Sequence, residues 1–289
     1  MSAPDIYRQL QRLARQQGRP SDELMTLYGL ERILDRLTRT VYRDDFSLKG
    51  GVLLAAYRLR RPTRDIDMQA LDFDLDEKHL REVVAAIAAV DADDGLVLSS
   101  EVTVEQIRDE DEYSGLRVSI PATLHTFQFA IRLDVSTGDP IWPAPQPVTL
   151  PGLLGQDVTI MGHPMVTVVA EKAVTVLQRG TTSTRWRDFM DLANLARTYP
   201  FTAGDVRAAA MATAAHRQVE LRALASVTAG YGDVAQPKWS AWRRKNDLGD
   251  LCAALFGDQL ADVITFIDPV FTGDLPDTAT WDPLTYTWQ

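Results

Sequence analysis

Two carboxylates and two glycines in the first quarter of the chain have the types and spacing needed to handle a nucleotide. Asp65 and Asp67 are two residues apart, so on an extended strand both side chains point to the same face. Gly50 and Gly51 open an apolar, helix-like run, where backbone N–H groups can approach a phosphate closely. Paired carboxylates suit Mg²⁺, which proteins usually hold through one or two carboxylates and the phosphates of a substrate. The stretch therefore predicts a phosphate-binding turn beside a magnesium site.

The distance along the chain between the glycines and the acids favours this interpretation. Thirteen residues separate Gly51 from Asp65, which is enough for a helix that returns to an adjacent strand and turns the glycines toward the carboxylates. In the alternative, the glycines make an ordinary turn and the acids pair with nearby arginines. These arginines are Arg58, Arg60, Arg61 and Arg64. The same cations equally suit a polyphosphate or RNA, so the residues alone leave both interpretations open.

A third carboxylate lies near the end of a later predicted strand, at residues 126–135. A carboxylate at the end of a central strand is costly when it is left unpaired. Asp134 is in that position, and a metal ion shared with Asp65 and Asp67 would relieve the cost. We therefore expect Asp134 to be the third metal ligand.

A further group of charges follows about 40 residues later in the chain. Lys172 and Arg179 are two helical turns apart, so both can lie on one helix face. Asp188 and Asp191 are three residues apart and share a face of the next predicted helix. The ordinary fate of such cations is a solvated helix surface, but the dense alternation of charges around Trp186 argues for a site.

Composition excludes several classes of protein. The chain has 289 residues, of which 45% are hydrophobic and 24% charged, as in an ordinary globular protein with one large domain or two lobes. Its single cysteine, Cys252, excludes an intramolecular disulfide framework and a cysteine-based zinc cluster. The net charge of −10 argues against a general nucleic-acid coat protein, though not against an enzyme that grips one end of a nucleic acid. With no apolar run of ~20 residues and no recognisable signal peptide, we expect a cytoplasmic protein without a membrane partner.

Hydrophobic periodicity predicts the elements of an α+β protein. Helices are predicted at residues 3–41, 78–90, 164–180, 184–195 and, in pieces, 202–268. Strands are predicted at residues 65–71, 96–105, 113–120 and 126–135. Prolines predict a loop and a lobe boundary at residues 139–165. The tail from Thr272 is predicted to be an irregular cover over the surface.

Two helical segments allow a prediction about their faces. In residues 21–41, an apolar stripe is expected to be buried and an arginine face solvated. The stripe comprises Leu27, Leu30, Ile33, Leu34, Leu37 and Val41, and the arginine face comprises Arg32, Arg36 and Arg39. Residues 237–245 interleave tryptophans with basic residues. That pattern can bind nucleic acid by stacking on bases, but tryptophans that pack inward are the favoured interpretation.

Three blocks of this sequence resemble the signature motifs of a known family. The first block contains Leu48, Lys49, Gly50 and Gly51, followed by Arg60, Arg61, Pro62, Thr63, Arg64, Asp65, Ile66 and Asp67. The second is Ala170-Glu171-Lys172, and the third is Arg185-Trp186-Arg187-Asp188-Phe189-Met190-Asp191-Leu192. In this order they resemble the AbiEii/AbiGii-type toxins, including the mycobacterial MenT group, over roughly residues 45–200. One departure is Gly51, because the wider superfamily often has a serine at that position.

The resemblance implies a fold and an activity. The fold is a polymerase-β-type nucleotidyltransferase mixed sheet with flanking helices, followed by a helical C-terminal lobe. We expect a helical N-terminal segment and the nucleotidyltransferase core at residues 1–150, and a mostly helical lobe at residues 151–289. The activity is Mg²⁺-dependent transfer of a nucleoside monophosphate from an NTP to the 3′ end of tRNA, which blocks aminoacylation and translation. A cognate antitoxin protein is the expected partner. The alternatives are a small-molecule or protein acceptor, and a non-catalytic NTP-binding module.

The resemblance also assigns roles to the candidate residues. Asp65 and Asp67 are expected to be catalytic and to bind the metal, with Asp134 as an additional ligand. Lys172 and Asp188 are the other expected catalytic residues. The expected nucleotide-binding residues are Lys49, Gly50, Gly51, Arg64 and Arg179.

Overall fold

The computed structural model describes residues 1–99, 101–107 and 115–289. The chain forms two compact units. The first comprises Met1–Gly138 and Pro145–His163, and the second comprises Asp139–Ala144 and Pro164–Gln289. Tyr113, at which one predicted strand begins, lies outside the described residues.

A mixed β-sheet is the centre of the first unit. Its strands are β1 (Phe46–Lys49), β2 (Asp65–Ala70), β3 (Leu96–Leu98), β4 (Thr103–Ile107), β5 (Gly115–Leu124), β6 (Phe127–Ser136), β7 (Gln146–Leu150) and β8 (Val158–Gly162). Over the described residues their order is β3-β5-β6-β2-β1-β8-β7, and β4 also pairs with β5. Strand β2 is parallel to β6 and antiparallel to β1. The sheet therefore brings Asp65 and Asp67 onto a central strand, with the strand of Asp134 beside it.

Helices cover this sheet and bury the residues that the apolar stripe predicts. They are α1 (Ala3–Gln17), α2 (Ser21–Leu37), α3 (Gly50–Ala56) and α4 (Glu77–Ala89). The stripe on α2 is buried as far as Leu37, which confirms most of that prediction. It is wrong for Val41, which is 87% exposed, because α2 ends at Leu37 and the residues beyond it form turns.

Two arginines of the predicted solvated face are buried instead. Arg36 donates to both carboxylate oxygens of Asp94 at 2.8 and 2.7 Å, and Arg32 donates to the side chain and backbone of Gln156. Arg39, at the end of the same face, stays largely exposed. Helical periodicity cannot reveal partners that are supplied by distant segments, so the prediction is wrong for Arg32 and Arg36.

The proline-rich segment at residues 139–165 contains strands β7 and β8, so the prediction of a loop there is wrong in part. Strand β7 is at one end of the strand order, and an edge strand tolerates a residue without an N–H group, which accounts for Pro147. Val148 and Leu150 are buried and alternate with exposed residues. This alternation was the sequence signal for a strand, and the prolines obscured it.

The second unit is mostly helical. Its helices are α5 (Met165–Arg179), α6 (Trp186–Thr198), α7 (Ala203–His216), α8 (Leu224–Val227), α9 (Tyr231–Lys245) and α10 (Phe256–Phe271). The helices predicted at residues 164–180 and 184–195 are confirmed. Helix α6 begins after Arg185 without a side-chain cap. In the part of the chain that the structure describes, no helix is both long and apolar enough to cross a membrane.

The tail forms part of a small sheet rather than an irregular cover. Strands β9 (Phe201–Thr202), β10 (Thr280–Asp282) and β11 (Thr287–Trp288) pair in the order β11-β10-β9. Trp281 is 1% exposed, and its indole N–H donates to the carbonyl of Ala196 at 2.7 Å. The tail therefore contributes to the core of the second unit.

The tryptophan-rich segment at residues 237–245 lies in α9, and Trp239 packs inward. Its side chain is fully buried, and its indole N–H donates to the carbonyl of Ala253 at 3.0 Å. The packing interpretation is thus confirmed for Trp239. A mixed sheet with flanking helices, together with a helical second unit, confirms the predicted α+β class.

Candidate active site

Gly50 lies at the junction of β1 and α3, in contact with the carboxylate of Asp67. Its φ is +66°, a conformation that residues with a side chain rarely adopt. A Cβ atom at this position would overlap the Asp67 side chain. Glycine is therefore required here because of its positive φ, and because it leaves room for the carboxylate of Asp67.

Gly51, the next residue, packs against Thr63 in the same way. A Cβ atom on Gly51 would lie 2.7 Å from Oγ1 of Thr63. That hydroxyl donates to Oδ1 of Asp65 at 3.1 Å, and Thr63 is buried. Sequence reasoning missed this role of Thr63. Its one signal was its position two residues before Asp65, which places both side chains on one face of an extended chain.

Four charged residues form a row across four neighbouring strands. Lys49 on β1 is in register with Asp67 on β2, Asp67 with Asp134 on β6, and Asp134 with Arg117 on β5. Side chains in register lie on the same face of a sheet. The order of charges is thus positive, negative, negative, positive.

Asp134 lies beside Asp67, as predicted, but its carboxylate is bound by Arg117. Nε and Nη2 of Arg117 donate to its two oxygens at 2.8 and 2.6 Å. The hydrogen bonds to Asp134 raise the pKa of Arg117 above its ordinary value, and the charges of Asp65 and Asp67 act in the same direction. Sequence reasoning did not assign Arg117 to the site. Its pairing with Asp134 depends on the register of the β5–β6 hairpin, which residue types alone do not fix.

The two acids on β2 repel each other in the half-buried position that they share. Burial, followed by the negative charge of Asp65, raises the pKa of Asp67 to about 6, while Lys49 opposes the shift. Over the described residues there is no group of three or more His, Cys, Asp or Glu side chains placed to hold a metal ion. A pair of oxygen donors whose charges repel each other nevertheless fits one hard divalent cation, with substrate phosphates as the remaining ligands.

The arginines between the glycines and the acids have separate positions. Arg60 pairs with the buried Glu31 at 2.8 Å, so it does not serve as the partner of the acids that the alternative interpretation required. Arg61 is buried near Gly51, and its charge lowers the pKa of Asp67. Arg64 is exposed and directly precedes Asp65, so it is accessible to a ligand.

The later charges form a buried cluster within the second unit. Nζ of Lys172, on α5, lies 2.7 Å from Asp188 and 2.9 Å from Asp191, both on α6. Arg185 also donates to Asp188, at 2.6 Å. The interpretation of Lys172 as an ordinary solvated cation is therefore wrong. Arg179 is half-buried at the last residue of α5.

Asp188 is held in its ionised form by these neighbours. Burial alone would raise its pKa, but the positive charges of Lys172 and Arg185 outweigh burial and hold the pKa well below the usual range. Two carboxylates around one ammonium fix its position, so Asp188 and Asp191 orient Lys172 more firmly than either could alone.

Residues 32–256 match the family model described as nucleotidyl transferase AbiEii toxin of type IV toxin–antitoxin systems. The chain belongs to the AbiEii nucleotidyltransferase toxin family. No curated protein matches the sequence of this AbiEii-family chain. Two similar solved structures are from Helicobacter pylori. One is the structure of a proposed nucleotidyltransferase, whose sequence is 15% identical to this chain and whose TM-score is 0.50. The match covers 87% of this chain and 97% of that chain. The other, JHP933, is 16% identical with a TM-score of 0.47, covering 85% and 92%.

Membership of the AbiEii family confirms the resemblance of the three sequence blocks. The first H. pylori structure supports the fold, which is that of a nucleotidyltransferase. A nucleotidyltransferase of a toxin–antitoxin system implies an NTP substrate and an antitoxin partner. The acid pair, the glycine pair and the Lys172 cluster all lie within the matched residues.

Proposed function

We propose that this AbiEii-family chain is a Mg²⁺-dependent toxin that transfers a nucleoside monophosphate from an NTP to the 3′ end of tRNA. A tRNA modified in this way cannot be aminoacylated, and translation would stop. The observation that carries the proposal is the packing of Gly50 against Asp67 and of Gly51 against the Thr63–Asp65 hydrogen bond. The acceptor is supported by the resemblance to tRNA-modifying toxins, and it implies action in the cytoplasm, where tRNA is aminoacylated.

Asp65 and Asp67 would hold the metal ion. When bound, Mg²⁺ supplies positive charge to the triphosphate and to the oxygen atoms between which the nucleotidyl group is transferred. Thr63 keeps Asp65 in one orientation through its hydroxyl. Gly50 leaves room for the carboxylate of Asp67 on the same face. The protein thus orients its two ligands before the substrate arrives, and such preorganisation is the main source of catalysis in transfers of this type.

Cations of the chain would bind the phosphates. Lys49 is in register with Asp67, and Arg64 is exposed beside Asp65. The proposed nucleotide-binding set is Lys49, Gly50, Gly51, Arg64 and Arg179. Lys172 would act as a further catalytic cation, and Asp188 would act by orienting it, as their ion pair supports.

Labelling of RNA tests the proposal. Each of the four radiolabelled NTPs is incubated with the protein, Mg²⁺ and total tRNA, and the 3′ ends of the tRNAs are sequenced. We expect one NTP to extend the 3′ end. Asp65→Asn and Asp67→Asn should each lower the labelling by at least about 10²-fold, the order seen when one preorganised electrostatic contact is removed. Lys172→Met should lower the labelling while Mg²⁺ binding persists.

Asp74→Asn is the matched control for the acid pair. Asp74 is an exposed carboxylate in the turn that follows β2, and its substitution should leave labelling unchanged. Full labelling by Asp65→Asn or Asp67→Asn would contradict the assignment of the site. Labelling of small hydroxyl compounds in place of tRNA would establish the alternative acceptor. An NTP that binds and is never consumed would indicate a binding module.

A further inference from the structure

Arg117 is the end of the charged row and lies outside every motif that the sequence resemblance uses. Its guanidinium binds both oxygens of Asp134 through two hydrogen bonds. The Asp134 side chain is 12% exposed and that of Arg117 is 38% exposed. The pair is therefore accessible from the face that also carries Asp65 and Asp67, but Asp134 is the more enclosed partner.

A bidentate arginine leaves little opportunity for Asp134 to bind a metal ion. Each oxygen of a carboxylate keeps a second lone pair, but a cation at that position would lie beside the fixed positive charge of Arg117. Arginine cannot relieve this repulsion by losing its proton. Asp134 could become a ligand only after the guanidinium had moved away.

The charges of the row cancel one another. Lys49 and Arg117 balance Asp67 and Asp134, and Asp65 lies beside the row, in register with Arg132. One divalent ion at Asp65 and Asp67 would therefore make this face positive, which suits a triphosphate. A second ion would have to bind where the protein already supplies a cation.

We propose that Arg117 is a positioning residue that keeps Asp134 out of metal coordination, so that this site takes a single divalent cation at Asp65 and Asp67. The guanidinium occupies the place at which a second ion would otherwise bind to Asp134. The inference rests on the proposed function for the nature of the cation, and it assigns Asp134 a different role from the third metal ligand that the sequence predicted.

Counting bound Mn²⁺ tests this inference without any turnover. The protein is titrated with Mn²⁺ in the presence of a non-hydrolysable NTP analogue. Free and bound ions are then measured by electron paramagnetic resonance, with a nucleotide-only blank. We expect one bound ion per chain with the spectrum of an isolated Mn²⁺. In Arg117→Gln we expect a second ion and spin coupling, because ions that share a carboxylate site lie about 3.5–4 Å apart.

Arg132→Gln is the matched control. Arg132 is an exposed cation of β6, in register with Asp65. Its substitution removes the same charge from the first unit without releasing Asp134, so the count should stay at one. The double variant Arg117→Gln/Asp134→Asn should also return to one. A second ion in Arg132→Gln would show a general charge effect and would overturn the proposal.

The unsubstituted chain provides a test even if Arg117→Gln does not fold. Two coupled ions, or none, on that chain would overturn the inference. So would a single ion on a folded Arg117→Gln variant, with folding checked by circular dichroism. One bound ion without any nucleotide transfer would contradict the proposed function and leave the inference intact, whereas a coupled pair on an active enzyme would overturn the inference alone.

Discussion

Asp67 is the residue at which the requirements of folding and of the proposed metal binding oppose each other. It is half-buried beside Asp65 and Asp134 on neighbouring positions of the sheet. Its ionised form is disfavoured by burial and by the charge of Asp65. A bound cation would remove that penalty, so cation binding would stabilise the folded protein.

The raised pKa of Asp67 predicts a dependence of stability on pH. Below about pH 4 the group is protonated in both the folded and unfolded protein. Between that pH and about 6 the folded protein retains the proton longer, so the free energy of unfolding should fall as pH rises through this window. The loss is up to about 3 kcal/mol, since one pKa unit corresponds to about 1.4 kcal/mol. Chemical denaturation at pH 4.5 and pH 7.5 measures it.

Asp67→Asn is the control for this pH dependence. The variant should exceed the unsubstituted chain in stability above pH 6, and the difference should shrink toward pH 4. Mg²⁺ at pH 7.5 should raise the melting temperature of the unsubstituted chain but not that of the variant. A variant that is less stable at pH 7.5 would contradict the assigned origin of the shift.

Residue types alone could predict part of this site. An alternating Asp-Ile-Asp on a strand was enough to place Asp65 and Asp67 on one face, because the side-chain period of a strand is two. Thr63 and Arg117 were not predicted. The role of each depends on a contact with a specific atom of another residue, and such contacts follow from register and from the path of the chain.

At the scale of elements, the junction of β1 and α3 matters more than the helix that follows it. Helix α3 has only seven residues, and its first residue is the one that contacts Asp67. The glycine was predicted to admit a phosphate. In the structure, the group that approaches it most closely is a carboxylate of the protein itself.

Gly50→Ala should therefore damage the site beyond its effect on the backbone. A residue with a side chain at this φ costs about 1–2 kcal/mol, and the added Cβ would also displace the Asp67 carboxylate. We expect reduced stability together with a loss of Mn²⁺ binding. Isothermal titration calorimetry and thermal melting measure the two effects separately.

Gly18→Ala is the matched control for the backbone. Gly18 has a φ of +64°, and a Cβ atom there meets nothing within 4 Å. Its substitution should reduce stability by a similar backbone term and leave Mn²⁺ affinity unchanged. Equal losses of Mn²⁺ affinity in the two variants would indicate that the contact with Asp67 has no role.

Periodicity predicted most helices but failed where another signal was stronger. Helices α5 and α6 follow clear apolar repeats and were predicted. The alternation of Val148 and Leu150 on β7 was outweighed by the prolines around it, although an edge strand accepts proline. The buried arginines of α2 were also missed, because their partners lie far away in the chain.

At the scale of the whole molecule, an acidic chain is proposed to bind two polyanions, an NTP and a tRNA. A net charge of −10 opposes such binding at long range. Local cations must therefore provide the attraction, and in the first unit these include Lys49, Arg64 and Arg132. Salt at moderate concentration screens the general repulsion as well as the local attraction.

We expect the stability of the second unit to depend on Trp281, in the tail that the sequence predicted to be an irregular cover. Trp281→Ala removes a fully buried indole and leaves the carbonyl of Ala196 without its donor. Loss of a buried large aromatic side chain costs about 3–5 kcal/mol, so we expect a matching fall in the free energy of unfolding. Denaturation followed by circular dichroism measures it.

Leu284→Ala is the control on the same hairpin. Leu284 is 94% exposed, so its substitution should change stability by less than about 0.5 kcal/mol. A Trp281→Ala variant as stable as Leu284→Ala would mean that the tail is dispensable.

The contact between Gly51 and Thr63 has a consequence for how this family can diverge. The superfamily often carries a serine at the position of Gly51, but here the hydroxyl of Thr63 lies only 2.7 Å from the place that a Cβ atom on residue 51 would take. The side chains at positions 51 and 63 share one space, so they cannot both be large. A relative with serine at the first position would need a smaller residue at the second, and its serine could then bind the neighbouring carboxylate. Substitutions at these positions would have to occur together, as a covarying pair.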